Sequence, residues 1–161
     1  MALHPDFVDL LAAFAEEKVE YLIIGGYAVA FHGRPRFTKD IDLWIGVDPE
    51  NLKRTAQALA LFGAPPPLVS ELRTLRPEQV LYLGRPPVRV DILRSLGSLS
   101  FEEAYARRIE TEWDGVCVSV VALADLLAAK RAAGRPQDIA DVEALERIQQ
   151  GPAAPSRDKR R

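Results

Sequence analysis

Tyr21-Leu-Ile-Ile-Gly25-Gly26-Tyr-Ala-Val-Ala-Phe31-His32-Gly33-Arg-Pro-Arg36-Phe-Thr38-Lys39-Asp40-Ile41-Asp42-Leu43-Trp44-Ile45 is the stretch that decides the fold. It reads as a strand, a tight glycine turn, a short helix, a loop and a second strand. The apolar run Tyr21–Ile24 predicts a buried strand. Gly25-Gly26 closes it, and a glycine pair there lets backbone approach a ligand closely. The following helix would offer unpaired N–H groups to an anion such as phosphate. Asp40 and Asp42 open the second strand. Residues two apart on a strand point the same way, so their carboxylates rise together, roughly 6–7 Å apart at Cα. Two like charges that close call for a cation, and carboxylate oxygens suit a hard divalent one. Ile41, Leu43 and Ile45 face the other way, into a core.

Composition bounds the rest. At 161 residues the chain is long enough for a sizeable core, expected as one domain over residues 1–150. Its 48% hydrophobic and 27% charged residues suit a soluble globular protein, expected in the cytoplasm. A net charge of −2 gives no global pull towards nucleic acid or membrane, so any polyanion site is local. No apolar run is long enough to span a membrane. The single Cys117 excludes an internal disulfide and a cysteine metal site, and is expected in a buried strand. The basic ending from Gly151 to Arg161 is expected to be a disordered tail.

Outward from the central stretch, Phe7, Leu10, Leu11 and Phe14 predict an amphipathic helix over Pro5–Glu17. His32 at a helix end reads as a hydrogen-bonded neighbour rather than a metal ligand, and Gly33 as a left-handed C-terminal glycine. Asp48-Pro49-Glu50 is a helix start, with Gly63 as its stop. Ala64–Pro67 reads as a rigid connector and Val69–Arg76 as a short helix. Val80–Leu83 and Val88–Leu93, around Gly84-Arg85-Pro86, read as a hairpin. In its second arm Val88, Val90 and Ile92 share one face, Arg89 and Asp91 the other. If that arm lies beside Asp40–Ile45, three carboxylates converge; otherwise Asp91 is a plain solvent-facing acid. Phe101–Arg107 predicts a short helix. Ile109–Trp113 and Val116–Val120 flank Asp114-Gly115, a two-residue hairpin turn. Helices are expected over Leu123–Ala133 and Ile139–Ile148. In the first, Lys130 continues the buried line of Leu123, Leu126 and Leu127, so its ammonium either snorkels or reaches a buried anion. Asp138 and Asp141 share a face of the second.

The combination of Gly25-Gly26, a spacer and Asp40-Ile41-Asp42 resembles the signature of the DNA polymerase β-like nucleotidyltransferase superfamily. The string His32-Gly33-x-x-Arg36-x-Thr38-x-Asp40-Ile41-Asp42 looks most like its small prokaryotic members, the AbiEii/MenT-like toxins and minimal nucleotidyltransferases. Ala124-Asp-Leu-Leu-Ala-Ala-Lys130-x-x-x-x-Arg135-x-x-Asp138-x-x-Asp141 is similar to the run that follows their catalytic sheet. The resemblance implies an α/β (α+β) fold: a mixed twisted sheet with helices packed mainly on one face and a C-terminal helix pair. It implies two Mg²⁺ or Mn²⁺ ions on Asp40, Asp42 and Asp91, and a nucleoside triphosphate near Gly25, Gly26, Arg36, Thr38, Lys130 and Asp138. Arg36 would either steady phosphate or pair with one of the aspartates. The spacer is longer than in the antibiotic-modifying branch, which argues against an aminoglycoside.

The expected activity moves a nucleoside monophosphate to a hydroxyl acceptor, either RNA such as tRNA or a protein. A toxin–antitoxin partner or a homodimer fits the same resemblance. Three rivals stand beside it. A metal-dependent glycosyltransferase also uses Asp-x-Asp but does not need the glycines or Asp91. A catalytically idle, antitoxin-like binding module would have no use for all three acids. A plain α/β interaction domain leaves their convergence unexplained.

Overall fold

The computed structural model describes residues 2–85 and 88–151. The tail after Gly151 and the Pro86 of the hairpin turn lie outside the described residues. Among the described residues thirteen elements run in order: α1 (Pro5–Glu16), β1 (Tyr21–Ile24), α2 (Gly25–Phe31), β2 (Asp40–Ile45), α3 (Pro49–Phe62), α4 (Pro66–Glu71), β3 (Val80–Arg85), β4 (Val88–Leu93), α5 (Phe101–Ala106), β5 (Ile109–Trp113), β6 (Val116–Val120), α6 (Leu123–Ala133) and α7 (Pro136–Gln150). The six strands form one mixed sheet in the order β3-β4-β2-β1-β6-β5. β2 runs parallel to β4 and β1 parallel to β6, while the remaining neighbours are antiparallel.

Strand alternation sorts the two faces. Ile41, Leu43 and Ile45 are fully buried. Tyr21 lies opposite Ile45 and meets Phe14 of α1 edge to face at 5.4 Å, so α1 covers this apolar side. α3 packs on α1. Its start is fixed by Asp48, which accepts from the Asn51 backbone N–H at 2.9 Å, and its end by Gly63 at φ 98°. Buried Asn51 then ties the sheet to α3: it donates to the carbonyls of Glu20 and Gly46 and accepts from the Glu20 N–H. The opposite face carries Asp40, Asp42 and Trp44 in turn, and Phe101 of α5 closes on Trp44 at 5.3 Å.

Several expectations shift. α2 begins at Gly25, so both glycines are the helix's first residues rather than a turn before it. The proline run 65–67 starts α4 instead of acting as a connector, since proline is tolerated in a helix's first turn. α7 begins at Pro136 for the same reason. Cys117 is exposed, not buried. It sits opposite Glu112 and alternates with Val118, so period-two patterning puts it on the polar side of β6.

Candidate active site

The parallel β2–β4 pairing sets the site. Its register places Asp40 opposite Arg89 and Asp42 opposite Asp91. Partners in a ladder share a face and lie about 5 Å apart, so Asp42 and Asp91 are immediate neighbours with Asp40 one step behind. The three predicted acids thus come together. Their backs are apolar: Ile41, Leu43, Val90 and Ile92 hold both strands in the core.

Charge is unbalanced here. Burial, then the neighbouring Asp91 and Asp40, push the Asp42 carboxyl up to about 7. Among the described residues the one cation in salt-bridge contact with these acids is Arg89. Its Nε and one terminal nitrogen donate to Asp91 at 2.8 and 3.1 Å, and it reaches Asp40 at 3.2 Å. A single positive charge therefore faces three carboxyls, leaving room for a dication. The donors are hard oxygens on adjacent, rigid strands, as Mg²⁺ or Mn²⁺ require. The set fits such an ion in its chemistry. As arranged, however, no three ligating side chains among the described residues enclose one, because the Arg89 guanidinium lies between Asp40 and Asp91.

Gly25 is glycine for two reasons. Its φ is +66°, and a Cβ there would fall 2.1 Å from Asp42 Oδ2. The start of α2 is thereby pressed against the carboxylate. Gly26 makes room for the spacer loop: its Cβ would fall 3.0 Å from that of Thr38. Thr38 itself donates to the Asp40 carbonyl at 3.0 Å, so it braces the loop at the strand start.

Beside Asp42 opens a cavity of about 260 Å³. Gly25, Asp42, Leu93, Leu126, Lys130 and Arg135 are among the residues that line it. A larger cavity of about 480 Å³ lies among Phe7, Phe62, Leu68, Leu83 and Val90. Tyr82 and Arg85 also line it, and none of the three acids does.

Lys130 is buried, and its ammonium meets carboxylates: Asp141 at 2.9 Å and Asp138 at 3.3 Å. Asp138 also accepts from Arg135 Nε at 2.6 Å and from the Arg135 backbone N–H. Asp141 is a hub with no exposed side-chain surface. Arg34 donates to it at 3.0 Å, Arg36 at 2.5 Å and Gln137 at 3.2 Å. Burial works to raise both carboxyls, but cations win. Lys130, with Gln137 and Arg36, holds Asp141 below the usual range; Arg135 and Lys130 do the same for Asp138. Arg36 thus does not pair with Asp40 or Asp42. Four cations face these two acids, leaving an excess of two positive charges beside the cavity.

The family described as nucleotidyltransferase of unknown function (DUF6036) matches the chain over residues 7–150. The chain belongs to that family. Two solved structures share the nucleotidyltransferase fold. One is the lincosamide antibiotic adenylyltransferase LnuA, solved with lincomycin bound: 17% identity and TM-score 0.57 over 91% of this chain and 98% of that one. The other is a putative nucleotidyltransferase from Thermotoga maritima, with 16% identity and TM-score 0.55 over 93% of this chain and 96% of its own. No curated protein matches the sequence. Among the described residues of this nucleotidyltransferase, no helix is long and apolar enough to cross a membrane.

Two residues of the site escaped the sequence reading. Arg89 shares its strand face with Asp91, and that alternation was the signal for a clamp. Asp141 was paired in sequence only with Asp138. Its partners Arg34 and Arg36 are 107 and 105 residues away, and no local pattern points to them. His32 behaves as expected: its Nε2 lies 2.7 Å from the Val121 carbonyl.

Proposed function

We propose that this nucleotidyltransferase moves a nucleoside monophosphate from a nucleoside triphosphate, such as ATP, to a hydroxyl acceptor on RNA or protein. The observation that carries the reading is the Asp42–Asp91 register, with Asp40 behind, beside a cavity that Lys130 and Arg135 line. Asp40, Asp42 and Asp91 would hold two Mg²⁺ or Mn²⁺ ions, which when bound neutralise triphosphate charge and lower the acceptor hydroxyl's pKa. The backbone N–H groups of Gly25 and Gly26 face phosphate across the Cβ-free approach. Lys130 and Arg135 place positive charge on the cavity's lining, where the pyrophosphate would leave. Asp91, held on the sheet next to Asp42, takes the acceptor proton. Arg36 and Thr38 act through the loop they brace, and Asp138 holds Lys130 and Arg135 in place.

The likeness of the signature string to toxin enzymes extends the proposal to a cytoplasmic toxin–antitoxin role, read out as growth arrest on expression. The test of the chemistry is incubation with each labelled nucleoside triphosphate and Mg²⁺, separately with RNA, a cell lysate and a lincosamide. Label on any acceptor that disappears in Asp42→Asn and Asp91→Asn supports the reading. Absence of transfer, together with no thermal shift from Mg²⁺ and nucleotide, refutes it.

A further inference from the structure

Tyr82 stands in the same row as the acids. The β3–β4 register pairs it with Asp91, which in turn pairs with Asp42. Side chains along such a row share a face, so the Tyr82 ring rises about 5 Å beyond Asp91 and about 10 Å beyond Asp42. It lies on β3, an edge strand, and is 53% exposed. The Arg89 guanidinium sits 4.8 Å from the ring centroid and pins it. This large aromatic is left half open beside the three carboxylates, with Arg89 against its ring and the edge of the larger apolar cavity next to it.

The donor cavity is lined by Gly25, Asp42 and α6, and reaches the far end of β4 at Leu93; Tyr82 does not line it. Phosphoryl transfer needs attacking and leaving oxygens roughly in line on opposite sides of phosphorus. The leaving pyrophosphate points towards Lys130 and Arg135, so the acceptor arrives over β4 and β3. The geometry points to Tyr82 as the stacking platform for a nucleoside-terminated RNA acceptor, which presents its free ribose hydroxyl to Asp91. This rests on the nucleotidyl-transfer reading above. The spacing favours a nucleoside. A ribose carries its hydroxyls about one ring's width from the base, and one strand spacing separates the aromatic plane from the carboxylate. A serine or threonine acceptor has no plane to stack. Stacking on one ring also tolerates any base, which suits an end-adding reaction. In the step, the ribose O–H oxygen attacks the α-phosphorus and a new O–P bond forms. The bond to the bridging oxygen breaks, pyrophosphate leaves with the electron pair, and the hydroxyl proton passes to Asp91.

The test uses the full chain with labelled nucleoside triphosphate and Mg²⁺, and two short RNAs. One ends in an ordinary nucleoside; the other ends in an abasic ribose that keeps its hydroxyls. Wild type, Tyr82→Phe and Tyr82→Ala are compared. Losing one base–aromatic stack corresponds to roughly 5- to 150-fold in kcat/KM, carried mostly by KM for RNA. That loss is expected for Tyr82→Ala on ordinary RNA and for wild type on abasic RNA. Tyr82→Ala on abasic RNA loses no more, and Tyr82→Phe stays near wild type. A Mg²⁺–nucleotide thermal shift in each variant shows the donor side intact. Equal further loss by Tyr82→Ala on both RNAs makes the residue structural and overturns the proposal. Transfer to lysate proteins but to no RNA overturns it while leaving the nucleotidyl-transfer reading in place. Absence of the thermal shift in wild type sinks that reading, and this inference with it.

Discussion

Asp42→Asn tests whether the site is held at the expense of stability. The ordinary carboxyl titrates near 3.8, and Asp42 in the fold near 7. Between those values the native state keeps a proton that the unfolded chain has released. Stability therefore falls as pH rises from about 4 to about 7, and the full penalty persists above. Three units correspond to about 4 kcal/mol as a ceiling. Solvent on the open side screens the carboxyl, and half that ceiling, about 2 kcal/mol, is the working figure. Asparagine has the shape of the protonated acid and never ionises. At pH 8 the variant should be more stable than wild type by about 2 kcal/mol, or about 4–8 °C in Tm for a domain of this size. At pH 4 the two should nearly coincide. Mg²⁺ with nucleotide at pH 8 should raise the wild-type Tm and leave the variant's unchanged. Thermal melts at the two pH values decide it. A variant no more stable than wild type at pH 8, or an equal increment at both pH values, refutes the argument.

Asp141→Asn should destabilise the fold by about 3–5 kcal/mol, since Lys130, Arg34 and Arg36 lose a buried counter-charge; urea denaturation measures it. Its folded carboxyl lies below the usual range, so its contribution is present above the unfolded value and is lost as pH falls through the folded one. Lys130→Met leaves Asp138 one guanidinium and Asp141 two, so the cost should be smaller, about 2–3 kcal/mol, with transfer reduced about 10²-fold or more. Gly25→Ala pushes a methyl into Asp42 at a left-handed φ; transfer should vanish and stability fall by about 1–3 kcal/mol, whereas unchanged activity would mean the α2 start does not touch the site.

What was legible in the sequence was local. The Asp40/Asp42 pairing and the Arg89/Asp91 face follow from strand alternation, and the Asp48 cap and Gly63 stop from helix-end chemistry. The β2–β4 pairing that joins the acids came from the resemblance, because two parallel strands 48 residues apart carry no joint pattern. The missed parts depend on chain returning from far away. Arg36 was read as a phosphate contact or a partner for one of the two nearby aspartates, yet α7 supplies a better-buried acid. Cys117 was misplaced for a simpler cause: the cysteine's usual preference was followed over its position in the alternation of β6.

The Asp141 hub also orders events in time. Arg34 and Arg36 leave the ribosome about a hundred residues before the carboxylate that fixes them, and the sheet's centre likewise waits for β6 to lie beside β1. Until α7 has emerged, a nascent chain carries Asp40 and Asp42 behind a loop that has no anchor. The loop that leads into the acidic strand is thus pinned only once α7 has been made, however early its own residues appear.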